Sequence, residues 1–599
     1  MNPRPENPLA EYQTRLSQRR EVAAREQKLF IRIGNTRLAT GITGAVMAFF
    51  VFGEIVISPW WLLIPAVLFG VLVVIHSRIV DRLERANRAA QFYERGIARL
   101  ENRWMDLGET GERFRNPAHV YAEDLDLFGK GSLFQLVSTS RTRSGEDTLA
   151  GWLLTPASKN EATERQQAIR ELAPRLDLRE DLAVLGEAVR SSLDANALDA
   201  WGEAPEVPFP AGARLIAPLL AAAVVVTFVL YLAGVLTRTP LLVALFLELG
   251  YGFLLGTRTL AVIRTVDAPA RELALLATLL QRLEREPLDS AALKHVRAQL
   301  AAGGLLASAE IERLRRLVSL LDWQRNIFFA PFALALLWSA QIAMALERWR
   351  KRSGSHIREW IAGVGELEAL CALSGYAYEH PHDVFPTLVE TENGCYDAAG
   401  LGHPLMPEAQ CVRNDVRLGG GIQLWIVSGS NMSGKSTLLR AVGLNAVLAW
   451  AGAPVRATRL DISPLAVGAS IRVLDSLQDG RSRFYAEITR LREIVELARG
   501  TRTVLFLIDE LLSGTNSHDR QIGAGAVVRT LINRGAIGMI TTHDLALSAI
   551  ANELAGGAAN VHFEDSLVDG RLHFDYRLRQ GVVERSNALD LMRSVGLEV

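Results

Sequence analysis

The chain has 599 residues, 49% of them hydrophobic and 22% charged, with a formal net charge of −1. Such a composition excludes a disordered chain, and the charge balance excludes a uniformly basic nucleic-acid coat. Cys371, Cys395 and Cys411 are the only cysteines; their wide spacing argues against a disulfide framework or a zinc site and suits a reducing compartment.

Mean hydropathy is +0.14, high for a soluble protein, and the excess is local. Residues 1–37 are polar, with eight Lys/Arg against four Asp/Glu interleaved at helical spacing, which predicts a basic N-terminal helix. No cleavable leader pattern opens the chain. Leu38 to Ile57 is apolar except for Glu54, Ser58-Pro59 makes a turn, and Trp60 to Ile75 is apolar again. The outer flanks are basic, Arg32 and Arg37 on one side, Arg78 and Arg82 on the other. Residues 38–76 therefore predict a transmembrane hairpin with both ends cytoplasmic. Its second run is short, a mismatch that tilt or local thinning absorbs.

Residues 77–212 read as helical. A second hairpin is expected over 213–256, from Leu215 to Leu236 and from Leu241 to Leu255, with Thr237-Arg-Thr-Pro240 as the link. Glu248 lies within its last run, where a carboxylate should face a partner, water or the bundle interior. Residues 257–395 read as helical again, with Leu273, Leu276, Leu279, Leu280 and Leu283 at spacings of three and four. Ile327 to Leu346 is a third apolar stretch. A fifth span would place the nucleotide-binding part outside the cell, so this stretch is expected to be a buried helix. From 396 to 599 short apolar strands alternate with helices and Gly-rich loops, an α/β layout.

Leu424-Trp-Ile-Val427 reads as a buried strand running into Gly429-Ser430-Asn431-Met432-Ser433-Gly434-Lys435-Ser436-Thr437 and then a helix. The pattern is G-x-x-x-x-G-K-[ST] in its required context: backbone N–H groups close around phosphate, and the helix N-terminus favours the negative charge. Lys435 would reach the β- and γ-phosphates of ATP, and Ser436 would ligate Mg²⁺. A second strand, Thr503 to Ile508, ends in Asp509-Glu510. Asp509 suits Mg²⁺ and Glu510 suits polarising the attacking water. A third strand, Ala536 to Ile540, leads to Thr541-Thr542-His543-Asp544, whose histidine is placed to sense the γ-phosphate.

These residues resemble the MutS family of DNA mismatch repair and recombination ATPases. Gly402-His403-Pro404 with Asn414-Asp415, the 429–437 loop, Asp475 to Glu487, Asp509 to Asn516 and His543 follow the family's motifs in order. The resemblance implies that Ser482 contacts ATP held by the opposing subunit. It also implies that the tail from Tyr576 to Leu597 helps form the dimer, with Tyr576 and Val412 as adenine contacts. Leu125 to Phe134, Gly151-Trp152, Arg165-Gln166 and Ile169 to Leu172 resemble the family's helical core. Two departures stand out: no mismatch-reading domain with a Phe-x-Glu wedge precedes Asp124, and the second hairpin with the helices of 257–322 occupies the ground of lever and clamp. The pattern resembles a membrane-bound MutS-like branch.

The expected architecture is mixed: a C-terminal α/β P-loop ATPase domain of the ABC type, plus an all-α core and lever carrying two transmembrane hairpins. The expected assembly is a homodimer through the ATPase domains, multi-pass in the plasma (inner) membrane, with both termini cytoplasmic. The activity implied is ATP hydrolysis with Mg²⁺, coupled to binding of mismatched, damaged or branched DNA. The alternative is a dimeric membrane ATPase that moves its hairpins without DNA. An exporter is disfavoured, because no LSGGQ-like sequence is present.

Overall fold

The computed structural model describes residues 7–53, 58–190, 195–301, 304, 306–326, 329–391, 393–430, 432–472, 483–512, 517–543, 551, 554, 556–568 and 571–582. The chain divides into two compact units: Met1–Thr139, Leu149–Val184 and Leu370–Val599 in the first, Ser140–Thr148 and Leu185–Ala369 in the second.

The strands belong to the first unit. In chain order they are β1 (Thr387–Leu388), β2 (Tyr396–Leu401), β3 (Asn414–Leu418), β4 (Leu424–Ser428), β5 (Arg459–Ile462), β6 (Leu465–Ser470), β7 (Thr503–Ile508), β8 (Ile537–Thr542), β9 (Ala558–Val568) and β10 (Arg571–Gln580). One sheet has the order β1-β5-β2-β3 and the other β10-β9-β4-β8-β7-β6. In the larger sheet β9, β4, β8, β7 and β6 run parallel, and only β10 is antiparallel. Parallel strands are covered on both faces, which explains why β4, β7 and β8 are uninterrupted apolar runs rather than alternating ones. The Lys435–Ala451 helix is apolar all round and buried along nearly its whole length. Leu125 packs so tightly on it that a Cβ at Gly443 would lie 2.6 Å from the leucine.

The first apolar hairpin is longer than its apolar runs. The basic segment and the first run form one helix, Pro8–Gly53, and the second run continues as Leu63–Leu100. The expected boundary at residue 37 is absent because nothing between Leu29 and Leu38 breaks a helix: there is no proline, and Gly34 alone costs about 1 kcal/mol. The two helices are antiparallel, with Gly34 against His76, Gly41 against Phe69 and Gly44 against Pro65. From Leu38 to Ile75 most large apolar side chains are exposed, Phe52 at 76% and Trp60 at 77%. At the other end the stem is buried in the first unit: Tyr12 stacks on Tyr378 and meets Tyr93 edge-on.

The second unit is helical. Ala213–Leu232 and Arg238–Glu284 form its hairpin. Ala213, Ala217 and Leu255 pack with Leu337, Ala340 and Met344 in one cluster. Glu248 is buried within this unit, 1% exposed. The stretch expected as one buried helix over 327–346 is two helices, Ala330–Ala335 and Trp338–Ser353. Pro331 sits in the first turn of the shorter one, and Leu337 adopts a left-handed conformation (φ 45°) that ends it. Ile342, Met344 and Leu346 are buried while Phe332 and Leu334 are exposed. Across the described residues four helices are long and apolar enough to cross a membrane, Pro8–Gly53, Pro59–Leu100, Ala213–Leu232 and Arg238–Ala274.

Candidate functional site

β4 is fully buried and delivers the chain to a loop with glycine at two positions of positive φ. Gly429 has φ 150° and Gly434 φ 105°. A Cβ on Gly429 would come within 3.1 Å of the Phe563 carbonyl oxygen. The buried Lys435 ammonium donates to the carbonyls of Gly429 (2.9 Å) and Ser430 (2.8 Å), so it bridges the loop from inside. Burial pushes its pKa down, and Asp509 and Glu510 oppose that shift. The hydroxyls of Ser430 and Ser433 are buried with no hydrogen-bond partner among the described residues. Buried orphan hydroxyls and a lysine beside a helix N-terminus make a cradle suited to an anion.

The tips of β7 and β8 complete the site. Ser436 Oγ donates to Asp509, and Thr541 Oγ1 donates to the other oxygen of the same carboxylate. Thr541 Oγ1 also accepts from the Glu510 backbone N–H at 3.0 Å. Glu510 (φ 48°) and Leu512 (φ 55°) are both left-handed, a conformation that costs about 1–2 kcal/mol per residue away from glycine. Among the hydrogen bonds that hold this turn are the Thr541 contact, Leu512 N–H to Glu487 Oε1 at 2.5 Å, and Arg520 Nε to the Leu512 carbonyl at 3.0 Å. His543 Nδ1 lies 3.6 Å from Glu510 Oε1. Thr541 thus fixes one carboxylate and aims the next. Thr541→Val removes both bonds at nearly constant volume. The expected result is a loss of stability of about 1–3 kcal/mol, read by chemical denaturation.

A cavity of about 750 Å³ opens beside the loop, lined by His403, Val412, Asn414, Met432, Lys435 and Tyr576 among others. Asn414 clamps its far wall by donating to the Tyr576 carbonyl (3.0 Å) and accepting from the Leu578 N–H (2.8 Å). Tyr576 itself is left-handed (φ 53°), and its ring edge lies 3.2 Å from where a Cβ on Gly434 would stand. Burial lowers the His403 pKa to about 4, so this imidazole is neutral at pH 7. Its wall is braced from behind by Asn445, which donates to the Gly402 carbonyl at 2.9 Å and accepts from the Arg456 N–H at 2.7 Å.

The structure brings Gly429, Ser430, Met432, Ser433, Gly434, Lys435, Ser436 and Thr437 onto one loop and helix start. Asp509, Glu510 and His543 approach it from the sheet, and Tyr576 and Val412 from the cavity wall. Asn431, Ser482 and the tail beyond 582 lie outside the described residues. The segment that leads to Ser482 is held at its start: Asp124 accepts from the N–H groups of Ile471 (2.6 Å) and Arg472 (2.7 Å). Sequence reasoning assigned no role to Thr541, Asn414, Glu487 or Asp124. Each stands inside or beside a quoted motif, and proximity to the motif is the one signal that could have found it.

A family model described as MutS domain V matches residues 425–598. The DNA mismatch repair protein MutS of Natronomonas pharaonis is 33% identical over 265 residues, 43% of this chain and 29% of that protein. The Endonuclease MutS2 of Thermus thermophilus is 38% identical over 204 residues, 34% of this chain and 26% of that protein. The DNA mismatch repair protein MSH3 of Phaeosphaeria nodorum is 31% identical over 245 residues, 40% and 21% of the two chains. The matched region thus spans less than a third of the length of each relative.

Proposed function

The chain belongs to the MutS family, and from that premise we propose that it is a membrane-anchored, dimeric ATPase whose nucleotide cycle is coupled to binding of mismatched, damaged or branched DNA. The observation that carries the reading is the hydroxyl–carboxylate network joining Ser436, Asp509, Thr541 and Glu510 beside the buried Lys435. Such a network fits phosphoryl chemistry because it puts a cation, an anion cradle and a base within one loop's reach.

ATP is the substrate. The 429–437 loop would wrap its phosphates as a P-loop, with Lys435 exchanging its two carbonyl bonds for phosphate oxygens. Ser436 and Asp509 are the donors that suit Mg²⁺, which when bound would neutralise the β- and γ-phosphate oxygens. Glu510 would accept a proton from the water that adds to the γ-phosphorus as the β–γ bridging P–O bond breaks, leaving ADP and phosphate. His543, beside Glu510, would report loss of the γ-phosphate to β8. The cavity lined by Val412, Asn414 and Tyr576 would take the nucleoside. A partner's Ser482 region would close the site, so nucleotide would hold two ATPase domains together.

Membrane anchoring rests on the four long apolar helices and on the exposed apolar side chains from Leu38 to Ile75. These same helices support the second reading, an ATPase that moves its hairpins without DNA. The test is ATP turnover of the nanodisc-held protein with homoduplex, mismatched and branched DNA, across salt. Stimulation by one DNA form, weakening as salt rises, is expected from the first reading. Turnover indifferent to all DNA would move the function to the membrane. In either case Lys435→Ala is expected to weaken ATP binding by about 10- to 100-fold, measured with a fluorescent nucleotide; unchanged binding would overturn the site itself.

A further inference from the structure

The first hairpin carries cations in matched tiers just inside its apolar band. Facing pairs Gly34–His76, Gly41–Phe69 and Gly44–Pro65 fix the antiparallel register. That register sets Arg32 level with Arg78, Lys28 with Arg82 and Arg25 with Arg85 along the hairpin axis, and all six side chains are exposed. Five of them have no carboxylate partner among the described residues; only Arg25 reaches one, Glu21 at 3.7 Å. Further along the same stem the pattern reverses. Arg15, Arg19, Arg20, Arg88 and Arg99 each pair with an Asp or Glu of the chain itself. The nearby carboxylates, Glu26, Asp81 and Glu84, do not balance the tiers, and Glu84 is already taken by Arg88 at 3.0 Å.

Position matters as much as charge. At 1.5 Å per residue, Arg32 lies about 9 Å beyond Leu38 and Arg78 about 4.5 Å beyond Ile75. That is headgroup depth for a band inserted through Leu38 and Ile75, and long basic side chains reach upward from it. We propose that this shoulder of the first hairpin is a binding surface for the headgroups of acidic phospholipids in the inner leaflet. The inference rests on reading the hairpin as membrane-inserted. Lipid phosphate is favoured over DNA phosphate because a duplex could reach the innermost tier only by lying against the bilayer.

The test uses the full chain in phosphatidylcholine nanodiscs containing spin-labelled phosphatidylglycerol or spin-labelled phosphatidylcholine. The motionally restricted fraction gives the relative association of each lipid. The wild-type chain is expected to prefer phosphatidylglycerol by at least about threefold. The variant Lys28→Gln/Arg32→Gln/Arg78→Gln/Arg82→Gln should lose that preference. Lysine at the three arginine positions should keep it, as should Arg103→Gln, a cation already paired with Glu101. A glutamine variant that enters the disc and keeps the preference overturns the proposal alone. A wild-type chain that does not enter discs overturns both the proposal and the membrane reading. Loss of duplex affinity in the glutamine variant with lipid preference unchanged would assign the tiers to DNA and overturn the proposal.

Discussion

Replacing Glu510 with Gln is expected to slow ATP hydrolysis by about 10²- to 10⁴-fold while ATP affinity stays within a few-fold of wild type. The two effects separate because of what holds each group. Glu510 is fixed through its backbone, by the Thr541 hydroxyl accepting its N–H at 3.0 Å and by the left-handed turn at φ 48°. The side chain, with His543 Nδ1 at 3.6 Å, is not needed to hold the turn, and its amide analogue can occupy the same place without accepting a proton. Asp509 is bound differently: both carboxylate oxygens receive hydroxyls, from Ser436 and Thr541. Asp509→Asn should therefore weaken Mg²⁺-dependent nucleotide binding along with turnover. If nucleotide also closes a dimer, the Glu510→Gln protein should accumulate as a dimer with ATP, visible by light scattering of the detergent-held protein. Phosphate release by Glu510→Gln at the wild-type rate would remove Glu510 from the role of base.

The candidate site was legible in the sequence because its parts are local. β4, β7 and β8 are contiguous apolar runs, each followed at once by the residues that matter, so strand and chemistry were read together. What escaped is long-range. Asn414 meets residues 162 and 164 positions away at Tyr576 and Leu578, and Asp124 meets Ile471 at a separation of 347. No spacing rule reaches across such distances. Helix ends were misplaced for a different reason. Periodicity marks where apolar side chains lie, and a helix that leaves an apolar environment for a polar one keeps its backbone hydrogen bonds, as Pro8–Gly53 does. The break at Leu337 carries no glycine to announce it. There the left-handed residue is tolerated because the leucine side chain is itself buried, in the cluster with Leu255 and Met344.

Glu379→Ala is expected to destabilise the first unit by about 3–5 kcal/mol, the usual effect of leaving one member of a buried ion pair alone. Glu379 receives Arg99 through Nε at 2.7 Å and through Nη2 at 2.5 Å, and the Tyr12 hydroxyl at 3.2 Å. The side chain of Glu379 is 2% exposed and that of Arg99 11%. Tyr12 comes from one helix of the first hairpin and Arg99 from the other, so one carboxylate ties both stems. Removing it strands a guanidinium and a phenol in an apolar cluster of Tyr93, Tyr378 and Leu176. Arg99→Met with Glu379→Leu should recover much of the loss, because the desolvation cost vanishes with the charges; a chemical-denaturation series on the single and double variants measures this. Four residues on, Asp383 pairs with Arg456 at 3.3 Å, and the same guanidinium donates to the Met406 carbonyl at 2.8 Å, on the lining of the cavity beside the loop. The connection from hairpin stem to cavity thus runs through two buried ion pairs joined by the short turn from His380 to Asp383. Glu379→Ala should accordingly also change nucleotide affinity at temperatures where the chain is still folded. An affinity unchanged there would mean that the stem is held to the unit but not linked to its site.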